Sequence, residues 1–172
     1  PPAPCGPTWT GPRASQASRE FEGDCYSDAS GANATAAWKR RVSWAIVQVQ
    51  YDRVQLQLAG PLQYHLQTVP AGELQAATRF LQHVGAAARL GFDCDLISLG
   101  LLRGEKWCCS GSRPLADLWR EFWAAHRRIA DAVELRKVKA HASLQSVHDG
   151  LVPGNEKQGN DAADEAAKGM LA

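Results

Sequence analysis

Apolar and polar residues alternate over three neighbouring stretches between residues 21 and 60. The stretches are residues 21–28, the segment RVSWAIVQVQY from Arg41, and VQLQLAG from Val54. A period of two is typical of strands, and the YDR connection at 51–53 is typical of a tight turn. We therefore predict three successive strands in a meander. Both sides of the middle strand are apolar, one with Val42, Trp44 and Ile46 and the other with Ala45, Val47 and Val49.

Helical spacing replaces this alternation after Pro70 and Gly72. Apolar residues recur at positions 74, 77, 81 and 84 in a stretch without further proline. This spacing predicts a helix that begins at about Glu73, which places that acid at the favourable end of the helix dipole.

The C-terminal half predicts two more strands and three more helices. They are a strand near 86–93, a helix at about 94–103, a helix over PLADLWREFWAAHRRI with Pro114 at its start, a strand over AVELRKVKAHA that ends at His141, and a last helix over GNDAADEAAKGML. The order of the elements predicts an α/β fold, a mixed sheet with helices packed on its faces.

Length and composition indicate one folded domain with a lead-in. A chain of 172 residues with 45% hydrophobic residues can bury one sizeable core. Residues 1–20 are rich in Pro and lack an apolar period, which predicts a linker or disordered segment. We therefore assign the domain to residues 21–172. Because the chain begins with Pro, we expect it to be part of a longer polypeptide.

Charge and cysteine content exclude several classes of protein. The formal net charge of +1 excludes a strongly basic protein that coats nucleic acid, although clusters at 39–41 and 136–139 remain candidate contact patches. No run of residues predicts a membrane span or a signal peptide. The five cysteines form no CxxC motif, so neither a disulfide framework nor a zinc site is indicated. We expect a soluble, intracellular protein with reduced thiols and no membrane partner.

Four acids stand at the ends of four different predicted elements: Asp28, Glu73, Asp93 and Asp164. If these ends converge, the repulsion between the carboxylates requires a compensating cation. Oxygen ligands favour Mg²⁺ or Mn²⁺, and two such ions ~3.5 to 4 Å apart can activate a water for phosphodiester hydrolysis. Taken singly, each acid has a simpler interpretation: Asp28 as a turn former, Glu73 and Asp164 as helix-dipole residues, and Asp93 as an N-cap.

The order of five short blocks resembles a known family. The blocks are YSDASG, QTVPAGELQAA, FDCDLISLG, VKAHA and GNDAADEAAK, and together they span about residues 24 to 169. In this order they resemble ribonuclease H type 1, specifically the version attached to reverse transcriptases of non-LTR retroelements. The resemblance implies a ribonuclease H-like fold with a five-stranded mixed sheet. It also implies hydrolysis of the RNA strand of RNA:DNA hybrids to a 3′-hydroxyl and a 5′-phosphate.

The resemblance assigns catalytic roles to the four acids and to one histidine. Asp28 would bridge two Mg²⁺ ions, Glu73 and Asp93 would complete one ion site, and Asp164 would hold the second ion. Glu73 would also accept a ribose 2′-hydroxyl. His141 would lie at the rim of the pocket and assist proton transfer or product departure, unless it is a surface or core histidine.

Substrate-binding roles follow from the same resemblance. They fall on Ser30, Asn33, Thr68 and Asn160. Asn33 would reach a phosphate or sugar, Thr68 would bind a DNA-strand phosphate, and Asn160 would anchor the start of the last helix. A plain loop residue at Thr68 and a plain N-cap at Asn160 are the alternatives.

The chain departs from the family pattern in two places. Bacterial members carry a basic, Trp-containing handle, whereas the corresponding interval here is only RGEKWCCSGSRP at 103–114, with no added helix predicted. We therefore expect weaker substrate grip and reliance on a reverse transcriptase domain in the same polypeptide. Gly72 predicts a looser helix start. Trp107, Trp119 and Trp123 could stack on bases, but core packing is the better interpretation.

Three functions are compatible with these observations, and they differ in what the acids do. A hybrid-specific, metal-dependent ribonuclease, monomeric as an isolated domain, uses all four. A catalytically silent module that binds or tethers nucleic acid would not need them. An integrase or resolvase of the same broad superfamily would lack the closing VKAHA and GNDAAD blocks.

Overall fold

A computed structural model of the chain describes residues 6–32, 35–129 and 132–171. Within these ranges the strands are β1 Thr8–Thr10, β2 Asp24–Gly31, β3 Val42–Gln50, β4 Arg53–Pro61, β5 Ala88–Phe92 and β6 Val133–Lys137. The helices are α1 Val69–Gln82, α2 Asp95–Arg103, α3 Glu105–Cys108, α4 Ala116–Ile129, α5 Leu144–His148 and α6 Gly154–Gly169, and a 3-10 turn covers Ala37–Lys39.

The six described strands form one mixed sheet in the order β1-β4-β3-β2-β5-β6. The meander of β2, β3 and β4 is antiparallel, as the alternation predicts, and β5 and β6 add to it in parallel. The connection between β3 and β4 is a two-residue turn in which Tyr51 and Asp52 both have positive φ angles. Such a turn matches the twist of a hairpin. The predicted α/β fold with a mixed sheet is confirmed.

Helices cover both faces of the sheet, which explains why β3 is apolar on both sides. The face under α1 and α4 holds the larger core, which includes Trp44, Phe80 and Trp119. The face under α6 holds a smaller core around Tyr26 and Val47. A strand covered on both faces gains from burying every side chain, so residues 42–47 are all buried.

The sheet has one strand more than the five predicted, and the additional strand comes from the lead-in. β1 pairs with β4, with Thr8 opposite Ala59. The ring of Trp9 lies 5.5 Å from that of Phe21 and 5.2 Å from that of His83, measured between centroids. Composition missed this strand because three residues are too few to show a period, and the aromatic contact that holds them is long-range.

Two predicted element boundaries in the first half of the chain are wrong. β2 continues through Asp28 to Gly31, so Asp28 lies inside the strand and does not close it. α1 begins at Val69 and not at Glu73, because Thr68 caps it and Pro70 occupies its first turn. Proline is tolerated there since the first amide groups of a helix have no partner within it. Glu73 therefore lies one turn inside the helix.

Two boundaries in the second half also differ from the prediction. β6 ends at Lys137 and not at His141, because its neighbour β5 ends at Phe92 and offers no further backbone groups to pair with. α6 begins at Gly154, five residues before the predicted start. The interval without a predicted helix contains the single turn α3.

None of the described helices is long and apolar enough to cross a membrane.

Candidate metal centre

Asp28 lies inside the central strand β2, paired with β3 on one side and one residue past the end of the pairing with β5 on the other. It stands opposite Ala45 of β3, and the parallel neighbour β5 pairs with β2 up to Ser27 opposite Phe92. Only 6% of the surface of Asp28 is exposed. A carboxylate buried in this way needs either hydrogen-bond donors or a cation.

Glu73 reaches Asp28 because α1 packs very closely on the sheet. A Cβ atom on Gly72 would lie 2.7 Å from Val42 Cγ1 and 2.8 Å from Ala29 Cβ, so glycine permits this approach. The Ala29 amide donates hydrogen bonds to Asp28 Oδ1 at 2.8 Å and to Glu73 Oε1 at 3.1 Å. The expectation of a loose helix start at Gly72 is wrong, since this is a point of tight contact.

Asp93 joins the pair because β5 runs parallel to β2. β5 ends at Phe92, opposite Ser27, so the next residue lies beside Asp28. One carboxylate oxygen from each of Asp28, Glu73 and Asp93 lies within 4.8 Å of the other two. Three acids from a strand, a helix and a strand end therefore form one group, which we call the carboxylate cluster.

Two acids of the cluster have raised pKa values, which indicates that no positive charge compensates them. Burial raises the pKa of Asp28 to about 6, and the charges of Asp93 and Asp164 add to this, against the lowering effect of hydrogen bonds from Glu73 and the Ala29 amide. Burial, the hydrogen bond with Asp28 and the Asp28 charge raise the pKa of Glu73 well above its usual range. Without a cation, both carboxyl groups therefore hold a proton more tightly than an exposed acid does.

The donor set of the cluster fits a hard divalent cation. It offers oxygen atoms only, which Mg²⁺ and Mn²⁺ prefer. Glu73 Oε2 is buried without a hydrogen-bond partner among the described residues, although Oε1 has one. An unsatisfied buried carboxylate oxygen is costly, and a bound cation would satisfy it.

Asp164 lies near the cluster but is not one of the three acids that meet. It sits in the second half of α6 and not in the first turns of a helix as predicted. Its Oδ2 accepts from Lys168 Nζ at 2.6 Å. Its charge nevertheless contributes to the raised pKa of Asp28. The role of Asp164 as a ligand of a second ion stays a prediction, and Lys168 is a partner that its i,i+4 spacing could have indicated.

Asn160 was predicted at the start of the last helix but does not lie there. It is buried in the interior of α6, and its Nδ2 donates to Asp93 Oδ2 at 3.4 Å. The N-cap interpretation is wrong because the helix begins at Gly154. Asn160 instead links α6 to an acid of the cluster.

Four predicted site residues remain: Ser30, Thr68, His141 and Asn33. Ser30 is half-buried in β2 opposite Ser43, and Thr68 serves as the N-cap of α1, with its Oγ1 accepting from the Ala71 amide at 3.4 Å. His141 is exposed, with φ of 46°, in the turn after β6. Asn33 lies outside the described residues. The substrate and catalytic roles of these residues stay predictions.

Comparison with known proteins identifies the fold. No protein-family model matches the chain, and no curated protein does. Among solved structures, a foamy viral protease-reverse transcriptase in complex with an RNA/DNA hybrid matches 88% of this chain at a TM-score of 0.64 and 14% identity. The chain spans 20% of that protein's length. A second foamy viral protease-reverse transcriptase structure, in complex with dsDNA, matches 89% of this chain and 96% of its own at a TM-score of 0.63 and 13% identity.

Type 1 ribonucleases H are also among the structural neighbours. LC9-RNase H1 matches 86% of this chain and 72% of its own at a TM-score of 0.56 and 19% identity. LC11-RNase H1, in complex with an RNA/DNA hybrid, matches 87% of this chain and 99% of its own at a TM-score of 0.52 and 12% identity. The chain therefore has a ribonuclease H-like fold, with the carboxylate cluster on the central strand of its sheet.

Proposed function

We propose that the chain is a divalent-metal-dependent endonuclease that hydrolyses the RNA strand of RNA:DNA hybrids. The observation that carries this proposal is the meeting of Asp28, Glu73 and Asp93 within 4.8 Å on a ribonuclease H-like sheet. Three converging acids without a counter-charge destabilise a fold, so their convergence is best explained by a bound cation. The neighbours solved with RNA/DNA hybrids support the choice of substrate.

The three acids of the cluster would hold the cation, and Asp164 is the candidate for a second ion. Mg²⁺ bound there would supply Lewis acidity to a phosphodiester and lower the pKa of a nearby water. The protein's own part is to fix the ligands. The Ala29 amide orients Asp28 and Glu73, and Asn160 orients Asp93.

Three residues, one of them a member of the cluster, have further proposed roles. His141 is exposed in a turn, which suits a group that accepts or delivers a proton at the rim of the site. Glu73 would also accept a hydrogen bond from a ribose 2′-hydroxyl, which distinguishes RNA from DNA. Lys168 holds the carboxylate of Asp164 in place through its ammonium group.

The test is cleavage of a hybrid whose RNA strand carries an end label, with Mg²⁺ or Mn²⁺. We expect RNA products with 3′-hydroxyl and 5′-phosphate ends, and no cleavage of double-stranded DNA. Asp28→Asn should lower turnover by about 100-fold or more, because even residues that only support metal ligands contribute about 10- to 100-fold. Asp24→Asn is the matched control, since Asp24 lies in the same strand but pairs with Arg89 at 2.7 Å.

Metal binding supplies a second readout that does not depend on turnover. Calorimetric titration with Mg²⁺ or Mn²⁺ should show binding to the wild-type chain and to Asp24→Asn, and much weaker binding to Asp28→Asn. A folded wild-type chain that binds hybrid but neither binds metal nor cleaves RNA would refute the nuclease and favour a silent binding module.

We further propose that the chain is a domain of a retroelement polyprotein that also contains a reverse transcriptase. The order of the sequence blocks and the likeness to the viral protease-reverse transcriptases support this assignment. Residues 104–114 contain only the one-turn helix α3 where the bacterial handle would lie. Hybrid affinity should therefore rise when the chain is joined to its polymerase, as filter binding of both forms would measure.

A further inference from the structure

A basic and aromatic surface lies between β2 and β3, outside the carboxylate cluster. It consists of Trp38, Lys39, Arg40 and Arg41, and we call it the basic–aromatic turn. Trp38 is 75% exposed, an uncommon state for the largest apolar side chain. Lys39 Nζ lies 4.9 Å from the centroid of the Trp38 ring. In the part of the chain that the structure describes, none of these three cations has a carboxylate partner.

The turn is held in shape by Arg41, which leaves the other side chains available. The Arg41 guanidinium donates to the carbonyl oxygens of Arg40 at 2.9 Å and of Trp38 at 3.3 Å. Its own carbonyl accepts from the Ala32 amide at 2.9 Å, just beyond the end of β2. Trp38, Lys39 and Arg40 therefore form an exposed surface that makes no contribution to the core.

The basic–aromatic turn lies at the same end of the sheet as the candidate metal centre. Arg40 lines a surface cleft of about 460 Å³ together with Gly31, at the end of the strand that carries Asp28. Thr68 lines the same cleft and caps the helix that carries Glu73. A nucleic acid placed on the carboxylate cluster would therefore extend towards this turn.

The chemistry of the turn selects unpaired nucleotides. Lysine and arginine attract phosphates of any strand, but an indole ring stacks on a base only where a face of that base is free. Bases inside a duplex already stack on their neighbours, so the base pairs within the hybrid offer Trp38 no such face. The bases that do are those of a single strand that continues beyond the hybrid.

We propose that the basic–aromatic turn binds a single-stranded extension of the hybrid through stacking on Trp38 and phosphate contacts to Lys39 and Arg40. This inference rests on the proposed nuclease function and adds a preference to it. The chain acts preferentially where a hybrid passes into a single strand, and a blunt hybrid is the weaker substrate.

Binding of labelled hybrids, measured by fluorescence anisotropy in the Asp28→Asn background to prevent cleavage, tests the proposal. A hybrid with an oligothymidine extension and one with an oligouridine extension should each be compared with the blunt hybrid. We expect at least one extension to tighten binding by about five-fold or more, and Trp38→Ala to remove that gain. The two extensions show whether the bound strand is DNA or RNA.

Matched controls come from the opposite end of β3. Tyr51 is 86% exposed, and the nine residues of β3, roughly 30 Å of strand, separate it from Trp38. Tyr51→Ala should leave the gain intact. The double variant Lys39→Ala, Arg40→Ala should lower the slope of log affinity against log salt by about 0.7 for each phosphate that the two side chains neutralise, whereas Arg53→Ala should not.

The outcomes separate this inference from the nuclease proposal. Equal binding of extended and blunt hybrids, or an equal loss for both in Trp38→Ala, would overturn the inference. Failure of the wild-type chain to cleave any hybrid would instead count against the nuclease. Because Trp38 is exposed, circular dichroism should show Trp38→Ala fully folded, with cleavage of blunt hybrid close to wild type.

Discussion

The carboxyl groups of Asp28 and Glu73 lie side by side, where burial makes the ionisation of both costly and the charge of Asp28 makes that of Glu73 more costly still. The Ala29 amide serves both, and no positive side chain reaches them among the described hydrogen bonds and ion pairs. The raised pKa of both groups is the consequence. Buried acids without a counter-charge lower the stability of the fold, and such a loss is tolerated where a bound ligand compensates the charge.

The raised pKa values of Asp28 and Glu73 predict how stability depends on pH in the absence of metal. Both acids have a higher pKa in the folded chain than in the unfolded one. From about pH 4 to about pH 6 and above, the folded chain therefore binds more protons than the unfolded chain does. Their contribution to the free energy of unfolding is therefore present at low pH and is lost as pH rises through the folded pKa. Chemical denaturation at several pH values with a chelator should show this decline.

The effect of metal should have the opposite dependence on pH. Mg²⁺ binds the deprotonated carboxylates, so the stabilisation it adds should grow from about pH 5 to about pH 8. Asp28→Asn removes one member of the pair and should flatten both dependences. An identical pH profile for wild type and Asp28→Asn would show that the coupling of these two acids does not control stability.

At the scale of single elements, α6 packs on the sheet through the ring of Tyr26. A Cβ atom on Gly159 would lie 2.1 Å from that ring, and one on Gly91 would lie 2.9 Å from it. The tyrosine is therefore enclosed between a helix glycine and a strand glycine. This contact sets the height of α6 above β2 and, with it, the position of Asn160 beside Asp93.

Gly159→Ala should therefore destabilise the chain although alanine is the better helix former. Overpacking of this kind costs about 1–3 kcal/mol, which outweighs a propensity gain of up to ~1 kcal/mol. Gly169→Ala in the same helix is the matched control, because no atom lies within 4 Å of its added Cβ. Thermal unfolding should show a lower midpoint for the first variant and an unchanged or higher one for the second.

The contact of α1 with the sheet makes a related prediction about the metal centre. In Gly72→Ala the new methyl group would meet Val42 and Ala29, and the helix would move away from β2. Glu73 would then leave its position beside Asp28. We expect weaker binding of Mg²⁺ in calorimetry and a cost of about 1–3 kcal/mol in stability. Unchanged metal affinity in a folded Gly72→Ala chain would contradict this account of how Glu73 is placed.

At the scale of the whole molecule, the lead-in completes the sheet. β1 covers the outer edge of β4, and Trp9 packs on Phe21, whose amide also donates to the His83 carbonyl at 2.8 Å. The Arg13 guanidinium adds a hydrogen bond to Gln48 at 2.9 Å. These contacts connect the lead-in to three parts of the domain.

A chain that starts at Arg13 should therefore be less stable than one that starts at Gly6. Removal of β1 exposes the edge of β4 and one face of Phe21, so the melting temperature should fall and aggregation should increase. The carboxylate cluster is not touched, and cleavage of hybrid at about 25 °C should remain close to that of the longer chain. Equal melting temperatures would mean that β1 contributes nothing to stability.

Electrostatics at this scale is local. A net charge of +1 cannot attract a polyanion over long range, so the proposed affinity for nucleic acid requires clusters such as Lys39 to Arg41. The exposed Trp38 was not a candidate on the sequence, since tryptophans are usually buried. Only its position on the turn after β2 showed it to be exposed.

Local features of this protein follow from the pattern of its residues. A period of two and a period of 3.6 follow directly from the geometry of strands and helices, so the meander of β2 to β4, the strand β5 and the helices α1, α2, α4 and α6 could be predicted from the residues. The order of Asp28, Glu73 and Asp93 in their blocks was sufficient to propose an oxygen-ligand metal site.

Tertiary structure decided what depends on contacts between residues distant in the chain. β1 exists because Trp9 meets Phe21, β6 ends where β5 ends, and α6 lies close to β2 because its glycine receives the ring of Tyr26. It also decided that Asp28, Glu73 and Asp93 converge, while Asp164 stays outside that group. Spacing along the chain specifies direction and face, but distances across the sheet are set by packing, which no local pattern encodes.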